Sequence, residues 1–184
     1  MENKKLEITL SGAGGQGIVV AGYVIVYAAG ILEDREVVQV ISYGPEARLG
    51  SSRSDVIISD TPIAYPKVKR PDLMLIMNQE SYDKLHGNLK EGGTLIVDST
   101  FVNGVLEDFA YKIPFTRYAR EEIGSPVVAN MMALGFMAKL TGIIKIENLK
   151  QAIRDKVKKS FVNLNLQAVE KGVYLAEDII NNKA

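Results

Sequence analysis

The stretch "LSGAGGQGIVVAG", residues 10–22, decides the fold. An apolar run from Leu6 to Leu10 leads into it and reads as a strand. An uncharged run from Ile18 to Leu32 follows and reads as a helix. Between them Gly12, Gly14 and Gly17 spell G-x-G-x-x-G. Strand, glycine turn and helix, in that order, open a Rossmann-type α/β layer. Glycines there permit a tight turn and let an anion approach the free N–H groups of a helix N-terminus. The same residues also serve a turn that binds nothing, with Gly17 needed only for close packing of helix on sheet.

A dinucleotide site needs more than the glycines. It places an Asp or Glu at the end of the second strand to bind the ribose. Here the second strand is Val37 to Ser42, and Ser42-Tyr43 closes it. Glu33, Asp34 and Glu36 lie before that strand, and Glu46 lies beyond a Gly-Pro turn. The acid is missing where it is needed. This counts against a nicotinamide or flavin dinucleotide, and equally against S-adenosylmethionine.

Farther along, apolar runs predict strands at Asp55–Ser59, Leu73–Met77, Thr94–Asp98 and Tyr111–Phe115, the last at an edge because of Pro114. Helices are predicted from about Gly15 to Gly30, from an Asn78 N-cap to about His86, and from Ser125-Pro126 to a Gly142 C-cap. Two more segments with helical apolar spacing follow. The sum is one domain over residues 1–184: an α/β, Rossmann-like three-layer sandwich with a mostly parallel sheet and extra C-terminal helices. Ligands of such sheets sit outside the carboxyl ends of the strands. The glycine loop, "SYGPEAR", "NQE" at 78–80 and "DST" at 98–100 are expected to share that edge.

Composition narrows the chemistry. Acids and bases balance at 22 each, so no basic footprint for nucleic acid is evident. There is no cysteine and one histidine, which excludes disulfides and a Cys-ligated zinc or iron–sulfur site on this chain. The run Ile18–Leu32 is shorter than the ~20 residues of a membrane span and contains two glycines. A cytoplasmic protein is expected, since no secretory signal precedes Lys4 and Lys5.

In "SYGPEARLGSSRSD", Arg48 and Arg53 flank a Gly-Ser-Ser group. Their guanidinium forks suit a phosphate or carboxylate. They suit equally an internal pairing with Glu46 and Asp55, or the docking of a partner on Tyr43 and the arginines. Asn78 is a helix N-cap first and a ligand contact second. Asp98 at a strand end is a candidate base, though it has no His or Cys near it in sequence, and His86 reads as a surface residue at a helix end. The methionines of "MLIMN" and "NMMALGFMAKL" sit at core spacing. No Ser-His-Asp set, paired-carboxylate spacing or metal cluster stands out.

Taken together, "SGAGGQGIVVAG", "SYGPEARLGSSRSDVIIS", "YPKV", "PDLMLIMNQESYDK", "LKEGGTLIVDS" and "GSPVVANMMALGFMAKLTG" resemble the gamma subunit of 2-oxoacid:ferredoxin oxidoreductases, above all the 2-oxoglutarate type. The resemblance covers most of the chain in family order. It implies CoA-dependent oxidative decarboxylation of a 2-oxoacid with electrons passed to ferredoxin. Thiamine diphosphate, magnesium and [4Fe–4S] clusters would belong to partner chains: alpha, beta and, as a further candidate, a ferredoxin-like delta. The absence of cysteine and of a Gly-Asp-Gly…Asn thiamine motif agrees with that division. Under this resemblance Gly12, Gly14, Gly15, Gln16, Gly17, Tyr43, Arg48, Arg53 and Asn78 are the candidate contacts for coenzyme A. A purely structural docking subunit and a stand-alone nucleotide-binding reductase are the competing readings.

Overall fold

The computed structural model describes residues 5–44 and 51–183. Six strands form one sheet: β1 (Lys5–Ala13), β2 (Glu36–Tyr43), β3 (Ser51–Ser59), β4 (Leu73–Ile76), β5 (Thr94–Asp98) and β6 (Tyr111–Ile113). Their order is β2-β3-β1-β4-β5-β6. β1 pairs in parallel with β4, β4 with β5, and β5 with β6. β3 alone runs against its neighbours, paired with β1 from Lys5↔Ser59 to Ala13↔Ser51 and with β2 from Glu36↔Ser59 to Tyr43↔Ser52. The reversal has a plain cause. The connection from Tyr43 to Ser51 is too short for the crossover that a parallel pair demands, so β2 and β3 close as a hairpin.

β3 also begins earlier than its apolar run, at Ser51. Its serines are used inward. Ser52 and Ser54 are buried, and Ser54 Oγ accepts a hydrogen bond from Gln39 Nε2 at 2.9 Å. Short polar side chains fit beneath the first helix because Gly22 lies directly over Ser54.

That helix, α1 (Ile18–Tyr27), stops short of the predicted Gly30 and continues as a π-helical turn, Ala28–Leu32. α2 (Gln79–Leu85) starts at Asn78, whose Oδ1 accepts the Ser81 N–H at 3.2 Å. α3 (Phe115–Glu122) follows β6. A 3-10 turn, Pro126–Val128, leads into α4 (Ala129–Thr141), which ends on left-handed Gly142. α5 (Ile146–Lys156) and α6 (Val162–Lys183) complete the chain's described helices.

The two faces of the sheet are covered unequally. On one, Ile8, Leu10, Val56, Ile58, Leu73, Leu75 and Ile96 pack against α1, α3, α4, α5 and α6. α4 is apolar all round and buried from Ala129 to Ala138, as befits a helix set between a sheet and another helix. α6 crosses it closely. A Cβ on Gly172 would collide with the Met132 carbonyl oxygen, and one on Gly135 with the Val169 carbonyl oxygen. Phe136 meets Phe115 edge-on at 5.5 Å between ring centres. On the other face, among the described residues, Met74, Ile76, Leu95 and Val97 are covered by Tyr82 of α2, by Val102 and by a few partly buried neighbours. No described helix is long and apolar enough to cross a membrane.

β1 feeds α1 and then β2 on one side, while β4 lies on the other. The carboxyl ends of β1 and β4 therefore flank the switch point of the sheet, where a crevice is expected.

Candidate ligand cleft

The glycine turn sits at that switch point and is held from within. Gln16 Oε1 accepts the Ala13 N–H at 2.6 Å, and Gln16 Nε2 donates to the Met77 carbonyl at 2.9 Å. One side chain thus ties the end of β1 to the end of β4. Gly17 caps α1 in the left-handed conformation, φ 71°. Its carbonyl accepts the Ala21 N–H at 2.9 Å and Asn130 Nδ2 at 3.0 Å. A side chain on Gly17 would meet both an unfavourable φ and the Asn130 amide.

Above the turn opens a cleft of about 620 Å³. Its lining runs from Ala13, Gly15 and Gln16 of the turn through Met77, Asn78, Gln79 and Glu80 to Phe101, and on to Thr116, Arg120, Pro126, Val127 and Ala129. Beside it lies a smaller hollow of about 240 Å³ bounded by Ser11, Ser42, Tyr43, Gly44, Ser51, Arg53, Ser81, Lys84 and Leu85. The start of α2 separates the two. Glu80 lines the cleft, yet its Oε1 accepts hydrogen bonds from Ser51 Oγ (3.0 Å) and Lys84 Nζ. Those bonds, Lys84 first and Ser51 second, hold the Glu80 carboxyl below the usual carboxylate range.

The candidate contacts therefore do not converge on one place. Gly15, Gln16 and Asn78 line the cleft, while Tyr43 and Arg53 line the hollow. Gly12, Gly14 and Gly17 shape the turn without lining either space. Arg48 and Glu46 lie outside the described residues. Arg53 takes the internal pairing: its Nε bonds Asp55 Oδ1 at 2.8 Å, and Thr9 Oγ1 donates to the same oxygen at 2.7 Å. Tyr43 is 73% exposed.

Two other readings change. Asp98 is not placed as a base. It is fully buried and accepts the Thr116 N–H, the Thr116 hydroxyl and the Thr100 N–H, so it pins α3 to the end of β5. His86 is not a surface bystander. Its Nδ1 lies 2.7 Å from Glu107 Oε1, and its ring stacks on Tyr82 at 4.6 Å. The Tyr82 hydroxyl donates to Glu107 Oε2 at 2.6 Å and accepts the Leu106 N–H at 2.8 Å. Burial works to raise the Glu107 pKa, but the hydrogen bonds from Tyr82 and His86 outweigh it and leave the carboxyl below its ordinary value. Burial first, and then Glu107, push the Tyr82 phenol up.

Phe101, Arg120, Val127 and Asn130 are site residues that sequence reasoning misses. α3 carries Arg120 and is short, so its amphipathic pattern is easily passed over after a predicted strand. "GSPVVAN" contains Val127 and Asn130, but only the fold turns that segment toward the glycine loop.

Residues 7–175 match the family model for pyruvate ferredoxin/flavodoxin oxidoreductase. The chain is 46% identical over 177 residues to the 2-oxoglutarate synthase subunit KorC of Methanocaldococcus jannaschii, covering 94% of this chain and 95% of that one. It superposes on the gamma subunit of a keto/oxoacid ferredoxin oxidoreductase from Geobacter sulfurreducens with a TM-score of 0.84 and 39% identity, covering 95% and 98% of the two chains. It also superposes on the 2-oxoglutarate:ferredoxin oxidoreductase of Magnetococcus marinus, solved with 2-oxoglutarate, coenzyme A and succinyl-CoA bound. There the TM-score is 0.85 at 27% identity, over 96% of this chain and 32% of that longer one.

Proposed function

The chain belongs to the pyruvate ferredoxin/flavodoxin oxidoreductase family, and from that membership we propose that it is the gamma subunit of a 2-oxoglutarate:ferredoxin oxidoreductase. The complex converts 2-oxoglutarate and coenzyme A to succinyl-CoA and carbon dioxide and hands the released electrons to ferredoxin. The near end-to-end likeness to a KorC subunit carries this reading. The chain acts as a single domain in a cytoplasmic complex.

The redox groups belong to its alpha, beta and ferredoxin-like partners. This chain has no cysteine for a cluster, and its described residues offer no group of three or more His, Cys, Asp or Glu for a metal. What it offers instead is a surface for coenzyme A. The cleft has apolar walls at Met77, Phe101 and Val127, and a glycine turn at its floor. Gly15, Gln16 and Asn78 contact the coenzyme there, on a turn shaped by Gly12, Gly14 and Gly17. A thioester-forming cosubstrate needs orientation and shelter from water more than it needs an acid or base from this wall.

Anaerobic purification with the co-expressed partner chains, assayed with a panel of 2-oxoacids, coenzyme A and a viologen acceptor, tests the reading. The highest kcat/KM is expected with 2-oxoglutarate. A higher value with pyruvate or a branched-chain oxoacid overturns the substrate.

The loop edge favours a second role, docking. Arg53 is already engaged by Asp55, and Tyr43 projects into solvent. Tyr43, Arg48 and Arg53 then anchor the alpha or beta chain. Tyr43→Ala is expected to reduce co-purification of partners while leaving the coenzyme KM of the surviving complex unchanged.

A further inference from the structure

We infer that Arg120 is the residue that holds a phosphate group of coenzyme A in the cleft, an inference that rests on the coenzyme reading above. The cleft is large and mostly apolar, and nearly every polar side chain on its wall is already spent inside the protein. Gln16 bonds Ala13 and Met77. Asn78 caps α2. Gln79 bonds Asp83 and the Asn103 N–H. Glu80 bonds Ser51 and Lys84, and Thr116 bonds Asp98.

Arg120 differs. Among the described residues it is the one cation on the cleft wall, it is exposed, and it has no hydrogen-bond or ion-pair partner. Its backbone is nevertheless fixed. α3 is anchored by buried Phe115 and Ala119 on one side and by the Asp98–Thr116 bonds at its start. An uncommitted guanidinium on a rigid helix, facing an apolar space, matches a ligand with a long uncharged arm and an anionic end. The fork binds phosphate oxygens in pairs, a geometry that a lysine cannot copy. Pantetheine along Met77, Phe101 and Val127, with a phosphate at Arg120, meets that description. The pairing of Arg53 with Asp55 leaves the hollow's arginine without that freedom.

The test uses the assembled complex and three acceptors: coenzyme A, dephospho-coenzyme A and pantetheine. Arg120→Ala is expected to raise KM for coenzyme A by about tenfold or more, the loss of a charge-assisted bond, with kcat unchanged. With pantetheine, which carries no phosphate, the variant and the parent are expected to agree. If the difference persists with dephospho-coenzyme A, Arg120 holds the diphosphate; if it vanishes, Arg120 holds the ribose phosphate. Arg120→Lys recovers part of the affinity. An equal KM increase with pantetheine overturns the inference, as does loss of partner chains on purification. Val127→Trp, which fills the cleft from an exposed position, separates the two levels. If it raises the coenzyme KM while Arg120→Ala does not, the cleft reading stands and Arg120 is the wrong residue. If neither variant moves it, the cleft reading falls as well.

Discussion

The two faces of the sheet are built on different physics. The face under α1, α4, α5 and α6 is held by apolar burial and by two glycines that let helix backbones meet. The face under α2 is thin, and a polar clamp of Tyr82, Glu107 and His86 fastens the segment around Leu106 to it. Burial is nondirectional and insensitive to pH near neutrality, whereas a hydrogen-bonded carboxylate is directional and titratable. The cleft takes a wall from each: Gln79 and Phe101 come from the α2 side, and Arg120 and Val127 from the α4 side. A ligand there rests on a stable wall and on one whose fastening depends on acid.

Substitutions can break this contrast in graded steps. Phe136→Ala removes a ring that is fully buried between Phe115 and Tyr111. It is expected to cost about 3–5 kcal/mol, read as a lower denaturant midpoint. Gly172→Ala forces α6 off α4 and is expected to cost about 1–3 kcal/mol. An unchanged Tm for that variant would show that the helices slide apart freely and that the thick face is less tightly specified than its geometry says.

On the thin face the expected loss is smaller and depends on pH. Glu107→Gln removes charge-assisted bonds worth about 1–2 kcal/mol at neutral pH. The Glu107 pKa is lower folded than its ordinary value of 4.5. Its stabilisation is therefore complete above the unfolded value and disappears as pH falls through the folded one. The parent should lose Tm more steeply than Glu107→Gln between neutrality and the acid limb. Parallel curves would refute the clamp.

The smallest effect is expected back on the thick face. Lys139 and Glu177 form an exposed pair between α4 and α6 at 2.7 Å. Glu177→Gln should change stability by less than about 0.5 kcal/mol, next to a glycine whose replacement costs several times more. A larger change would mean that ion pairing, and not backbone approach, sets the α4–α6 crossing.

Much of this was legible in the residues. The glycine turn, the Asn78 and Gly142 caps, the Thr94–Asp98 strand and the edge position of β6 all follow from local rules that the fold obeys. The antiparallel β3 was written in "SSRSD", where serine and arginine conceal a strand whose inward serines lie beneath a glycine. The role of His86 depends on Glu107, which lies in a segment without a periodic pattern, so no local signal joins them. The glycine turn, Tyr43 and Asn78 lie along one edge, as strand order predicts, but their division into a cleft and a hollow depends on where α2 starts and on α3, which begins inside a predicted strand. Asp98 misleads for a related reason: a carboxylate at a strand end looks chemical until the donors that surround it are known.

The close crossing of α6 on α4 has a consequence for synthesis. α6 is made after every strand and after α4. Until it emerges, the side of α4 that carries Gly135 and the Met132 carbonyl lacks that cover. Domains fold as units during translation, and uncovered apolar surface is where aggregation starts. The nascent chain can shape its glycine turn early, but it must be sheltered on one side until α6 arrives.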